Sequence, residues 1–213
     1  MRSKVNKKTD YHHGDLRQAL ILEATKVLRA EGLDALTLRD LARKLGVSHT
    51  APYRHFKSRD DLLIAIASES LDEFGNSILE LYKEYDIRSD EFFNKAVVAY
   101  YTYATENPER FFLIFKLVVH QIVDLKKHPD FKEKVRTYFH AFFGYIEEGQ
   151  KLGHAAPGDP SFIGLTVWSM IHGVTMLSLS NFLPNLSIKT PWKKDIPKHL
   201  IEFLNYHCPK PKT

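Results

Sequence analysis

The chain is 213 residues long, 44% hydrophobic and 26% charged, with a net charge of +4, a composition that supports a packed core and excludes wholesale disorder. Its one cysteine, Cys208, rules out a disulfide framework and a C-x-x-C zinc site. No apolar run approaches the roughly 20 residues of a membrane span: the longest candidate, Phe111 to Val123, is interrupted by Lys116, His120 and Gln121. The first twenty residues are basic and polar and hold no signal-peptide core, so a reduced cytoplasmic location is expected.

The charge is unevenly spread. Residues 1–60 carry thirteen Lys/Arg against seven Asp/Glu, a balance of +6, whereas residues 61–213 carry seventeen against nineteen, a balance of −2. A small basic module that meets a polyanion, followed by a body with another task, accounts for this division.

Helical periodicity runs through the chain. Leu16, Ala19, Leu20, Leu22, Ala24, Val27 and Leu28 form an apolar stripe stopped by Gly32. Thr37, with Asp40 three residues on, caps a second helix whose apolar face is Leu38, Leu41, Ala42 and Leu45, ended by Gly46. A short third helix is expected from about Ser48 to His55. Ser58 with Asp61 caps a fourth, with Leu62, Leu63, Ile66, Leu71, Phe74, Ile78, Leu79 and Leu81 on its inner side.

Ser89-Asp90-Glu91 marks another start, and Asn107-Pro108, His128-Pro129 and Asp159-Pro160 each put proline just inside a helix, where its missing N–H costs nothing. Leu183 to Trp192 reads as a loop, a last helix runs to about His207, and Pro209 to Thr213 is a tail. The expected fold is all-α, with about nine helices: a three-helix head over residues 12–60 and a larger helical body over residues 61–208.

The two short helices joined across Gly46-Val47-Ser48 form the core of a helix-turn-helix. The outward face of the second carries His49, Thr50, Tyr53 and Arg54. Short polar groups come first and a cation last, which suits a helix entering a major groove by its N-terminal end. The fragments Tyr11-His12-His13-Gly14-Asp15-Leu16-Arg17, Thr37-Leu38-Arg39-Asp40-Leu41-Ala42, Gly46-Val47-Ser48 and Tyr53-Arg54-His55-Phe56-Lys57-Ser58-Arg59-Asp60-Asp61-Leu62-Leu63 resemble the TetR family of bacterial transcriptional regulators over residues 12–65. Trp168-Ser169-Met170-Ile171-His172-Gly173 resembles the Trp…His-Gly signature of one C-terminal subclass.

The resemblance implies a DNA-binding head, a long fourth helix as connector, and a helical body that binds a ligand and dimerises. Residue by residue it implies that Thr37 meets a phosphate through the N-terminus of its helix, with Ser48 capping the next. It implies that Arg39, His49 and Thr50 face bases, and that Tyr53, His55, Lys57 and Arg59 serve the backbone, where the outward face of the helix also places Arg54. Where the family usually has leucine, position 52 is Pro52, which removes the first hydrogen bond of the recognition helix and stiffens it. The basic arm of Arg2, Lys4, Lys7 and Lys8 is a further candidate for phosphate or minor-groove contact, whereas His12-His13 lacks a third ligand for a metal.

In the body, aromatic residues crowd the segment 92–145. Tyr103, Phe111, Phe115, His120, Tyr138 and Trp168 are candidate lining for a pocket taking a lipophilic or aromatic molecule. Ile163, Val167, Ile171, Val174 and Leu177, with Leu200 to Leu204 and the small residues Gly164 and Gly173, are the candidate dimer face. No cofactor, no metal and no membrane contact are expected. The sequence holds no G-x-S-x-G, phosphate loop, H-E-x-x-H or C-x-x-C. A ligand-responsive repressor without enzymatic activity, binding a palindromic DNA operator as a homodimer, is therefore expected. The alternatives are a DNA-binding regulator or architectural protein without an effector, and an all-α enzyme.

Overall fold

The structure, a computed structural model, describes residues 15–153, 155–180, 182–185 and 194–207. These residues form nine α-helical segments and two 3-10 turns, with no strand among them. The arm residues Arg2, Lys4, Lys7 and Lys8, the pair His12-His13, Cys208 and the tail from Pro209 lie outside the described residues, as do residues 186–192 of the expected loop. The chain divides into two compact units between Ala67 and Ser68.

The first unit is built from α1 (Asp15–Ala30), α2 (Leu38–Leu45), a 3-10 turn (Pro52–Arg54) and the start of α3 (Arg59–Glu84). Leu16, Leu20, Ile21, Ala24 and Val27 form the buried face of α1, while Leu22 is half exposed. Leu16, Leu20, Ala24 and Val27 of the expected stripe are buried, and Ile21 takes the place of Leu22 between Leu20 and Ala24. Leu36, Leu38, Leu41, Ala42, Phe56, Leu62, Leu63 and Ile66 complete this core. Phe56 also carries the Arg17 guanidinium 5.6 Å from its ring centroid.

Local chemistry sets the boundaries. Asp40 N donates to Thr37 Oγ1 at 3.1 Å and that hydroxyl donates to Asp40 Oδ2 at 2.8 Å, closing the cap of α2. Gly46 ends the helix at φ +69°, and Val47 N donates to Ala42 O at 3.0 Å, as a left-handed C-terminal cap requires. Ser58 and Asp61 form the reciprocal box at the start of α3: Asp61 N donates to Ser58 Oγ at 3.1 Å and Ser58 N to Asp61 Oδ2 at 2.9 Å.

The second unit holds the rest of α3 with α4 (Asp90–Glu106), α5 (Pro108–Val118), a 3-10 turn (Leu125–Lys127), α6 (Pro129–Lys151), α7 (Pro160–Leu179), the single turn α8 (Phe182–Asn185) and α9 (Ile196–His207). Ser89 and Asp159 cap α4 and α7 through their side chains, at 3.0 Å to Phe92 N and 2.8 Å to Phe162 N. Helix α8 replaces the start of the expected loop; Pro184 fits it because one turn leaves its first N–H groups without intrahelical acceptors anyway.

Val97, Val167, Ile171, Leu200 and Leu204 pack α4, α7 and α9 together, with Ile163 and Val174 partly buried against them. Most of the stripe expected to meet a second copy is therefore packed inside this chain, while Leu177 stays exposed. A Cβ on Gly164 would lie 2.7 Å from Phe143 Cδ1, so that glycine serves the contact of α7 with α6, whereas a Cβ on Gly173 would meet open space. Helix α7 is apolar all round, long and apolar enough to cross a membrane by length and composition. The expectation that Phe111 to Val123 is the longest such candidate is therefore corrected. Gly, Ser, Thr and His disguise α7 in the sequence without making it hydrophilic enough to fail.

Candidate nucleic-acid interface and body cavity

The turn of the helix-turn-helix is real, but its second arm is not an α-helix. Between Ser48 and Phe56 the chain winds mainly by i→i+3 bonds, Ala51 N to Ser48 O at 3.0 Å, Arg54 N to Ala51 O at 3.2 Å and His55 N to Pro52 O at 3.0 Å, with one i→i+4 bond at its end, Phe56 N to Pro52 O at 2.9 Å. Pro52 is the cause. It has no N–H to reach Ser48 O, and it is buried, so its ring anchors the turn against the unit's core. Ala51 nevertheless stays at φ −59°, ψ −44°, so the path remains helical while tightening to a 3-10 turn. Ser48 acts through its carbonyl and not its side chain, whose hydroxyl pairs with that of Thr50 at 3.2 Å.

This geometry leaves Ser48, His49 and Thr50 exposed in sequence, followed by exposed Tyr53 and Arg54, half-buried His55 and exposed Lys57. Tyr53 keeps 53% of its surface in solvent although it is an aromatic beside a core. Thr37 and Arg39 are exposed at the start of α2. Arg59 differs from the others. It is half-buried, and its Nη2 donates to Leu33 O at 2.5 Å, tying the start of α3 to the loop between α1 and α2. The Thr37 hydroxyl bond, then the Arg43 bond, holds the Asp40 carboxyl below the usual carboxylate range.

The second unit holds a cavity of about 430 Å³. Its walls are residues of α3 (Phe74, Gly75, Ile78), α4 (Val97, Tyr100, Tyr103), α5 (Phe111, Phe115), α6 (Tyr138, Phe142) and α7 (Trp168, His172), among others. Among the described residues, no Asp, Glu, Lys or Arg lines it. Phe74, Ile78 and Leu79 of α3, which the sequence assigns to the core, line this space instead. Gly75 is needed at its wall: a Cβ there would collide with the Tyr138 hydroxyl.

Of the six lining candidates, Tyr103, Phe111, Phe115, Tyr138 and Trp168 come together around this cavity. His120 does not. It is exposed beyond the end of α5, its ring 5.3 Å from that of Phe115. The histidine at the wall is instead His172, only 9% exposed, whose Nδ1 lies 2.6 Å from Tyr100 Oη. Its ring stacks on Trp168 at 4.9 Å and lies 4.6 Å from Phe115 and 5.3 Å from Phe111. Burial among these rings pushes its pKa down to about 4, so it is neutral at physiological pH. The sequence offered one signal for it, the spacing of Trp168 and His172 by one helical turn.

A second hydrogen-bonded link joins the cavity's surroundings. Arg110 Nη1 donates to both carboxylate oxygens of Glu73, at 2.7 and 2.6 Å, connecting α5 to α3. Among the described residues, no group of three or more His, Cys, Asp or Glu is placed to hold a metal ion.

Residues 20–66 match the family model described as bacterial regulatory proteins, tetR family, and residues 93–191 match tetracyclin repressor-like, C-terminal domain. The chain is 44% identical over 55 residues to the tetracycline repressor protein class C of Escherichia coli, a match covering 26% of this chain and 25% of that protein. The chain thus spans about a quarter of the length of that curated relative. A structure of a protein of unknown function from Rhodococcus sp. RHA1 covers 94% of this chain and 99% of its own at 26% identity, with a TM-score of 0.76. The TetR family transcriptional regulator PfmR from Thermus thermophilus shares the fold, with a TM-score of 0.67 at 19% identity over 90% of this chain and 99% of its own. With a head and a body that each match a model of the same family, over residues 20–66 and 93–191, the chain belongs to the TetR family of bacterial regulatory proteins.

Proposed function

We propose that this protein is a homodimeric DNA-binding transcriptional regulator, a repressor released from a two-fold symmetric operator when a small lipophilic or aromatic molecule fills the body cavity. The observation that carries the reading is the exposed polar run His49, Thr50, Tyr53, Arg54 and Lys57 on a helix-turn-helix whose apolar side is buried. Arg39, His49 and Thr50 face base edges; Thr37 with the N-terminus of α2, Ser48, Tyr53, Arg54, His55 and Lys57 meet phosphates. Arg59 joins them with the N–H groups that its bond to Leu33 leaves over.

The apolar cavity favours an effector over a purely architectural role. Helix α3 belongs to both units and is the element through which occupancy of one changes the other. The protein acts in the cytoplasm, by binding and without catalysis.

Dimerisation is supported by α7 and α9. Phe162, Leu165 and Leu177 are exposed on α7, with Phe162 at 69%, and Phe203 and Tyr206 on α9, with Tyr206 at 79%. Phe162, Leu165, Ser169 and Gly173 follow one another at three- and four-residue steps, a stripe on which a second copy covers apolar surface and approaches closely at the glycine.

The test is a footprint on duplexes selected from random DNA. Two half-sites about one helical turn apart are expected. Lys57→Ala should weaken binding to all sequences and flatten the salt dependence by about one unit per half-site, whereas Thr50→Ala should change base preference. Protection of one asymmetric half-site by a single protomer overturns the proposal.

A further inference from the structure

We infer that the body cavity reads one hydrogen-bond acceptor, such as a carbonyl or ether oxygen, on an otherwise apolar and uncharged ligand, through the Nε2–H of His172. This deepens the effector-responsive reading and rests on it. Two groups fix where the proton sits. Among the described residues the Tyr100 hydroxyl has one acceptor within hydrogen-bond distance, His172 Nδ1 at 2.6 Å, and its proton is directed there. An imidazole that accepts at Nδ1 carries its own proton at Nε2.

That Nε2–H is buried and has no partner among the described residues. Its neighbours are the rings of Phe111, Phe115 and Trp168, none of which offers a lone pair of useful strength. A buried donor left unmade is costly, and a ligand oxygen that reaches it when Phe111 and Phe115 give way removes the cost. Tyr103 Oη is also buried without a hydrogen-bond partner, but Ser70 and Arg110 stand beside it and its hydroxyl rotates to suit them. Among the described residues, His172 has no such polar neighbour beyond Tyr100.

Charge is excluded by the same walls. With no Asp, Glu, Lys or Arg in the described lining, neither a carboxylate nor an ammonium ligand finds a counter-charge, and a cation would face an N–H donor. A volume of about 430 Å³ accepts a molecule of two or three rings or an equivalent chain.

The test uses a matched pair. Benzophenone and diphenylmethane differ by exchange of a carbonyl for a methylene; choline supplies a quaternary ammonium of modest size. Calorimetry on the full chain should give benzophenone roughly three- to tenfold tighter binding than diphenylmethane, with no heat from choline. In Tyr100→Phe/His172→Phe, which removes donor and acceptor together, the two should bind alike, at the wild-type affinity for diphenylmethane. Equal affinities in the wild type, binding of neither probe, or a preference for choline overturns the inference, and the wild-type comparison requires no variant to fold. The same titrations repeated with selected operator DNA separate the two readings. Discrimination of the pair without any effect on DNA affinity keeps the acceptor site and removes the effector role, while release of DNA by both probes alike keeps the effector role and removes the acceptor site.

Discussion

The buried His172 makes the stability of this protein depend on pH in a calculable way. Its pKa falls from an ordinary 6.5 to about 4 because burial among aromatic rings penalises the imidazolium. The unfolded chain therefore takes up a proton through the window between those values while the folded chain does not. A group with a depressed folded pKa contributes stability that is present above the unfolded value and lost as pH falls toward the folded one. Between pH 7 and pH 5 the loss from this residue is about 2 kcal/mol, and below pH 4 it levels off at about 3 kcal/mol.

The assay is urea unfolding at fixed protein concentration, pH 7 against pH 5, for the wild type and for Tyr100→Phe/His172→Phe. The other ten of the eleven histidines are common to both proteins and cancel in the comparison. The wild type should lose about 2 kcal/mol more than the variant over this interval. Identical pH dependence in the two, or a larger loss in the variant, refutes the assignment of a neutral, desolvated imidazole at this wall.

The Arg110–Glu73 pair should be asymmetric, because the Arg110 side chain is 10% exposed and that of Glu73 is 50% exposed. Glu73→Ala strands a buried cation and should cost about 1–3 kcal/mol, whereas Arg110→Met leaves a carboxylate that water can reach and should cost under about 1 kcal/mol; urea melts that rank them the other way would refute it. Phe162→Glu with Phe203→Glu, both at exposed positions, should leave helicity intact by circular dichroism and convert a dimer to a 24.7 kDa monomer in sedimentation. A persisting dimer would remove the α7–α9 face as the interface.

Much of this protein was legible in its sequence because helix boundaries depend on neighbours a few residues away. The Thr37–Asp40 and Ser58–Asp61 boxes, the Ser89 cap and the left-handed Gly46 each close hydrogen bonds over two to five residues, and the prolines that open α5, α6 and α7 need none at their own nitrogens. The same locality made Pro52 visible as a departure, although the loss of α-helical winding between Ser48 and His55 needed the i→i+3 bonds themselves.

What tertiary structure alone decided is which of several apolar faces is covered, and by what. Helix α7 is apolar on every side, so periodicity could not say that Val167 and Ile171 pack on α4 and α9 while Phe162 and Leu165 stay exposed. Nor could it choose Ile21 over Leu22 in α1, since adjacent apolar residues satisfy the same helical spacing. Tyr100 and His172 meet across 72 positions and Arg59 reaches Leu33 across 26. No local pattern encodes such pairs. They exist because packing against the rest of the chain brings together groups whose own helices form without them.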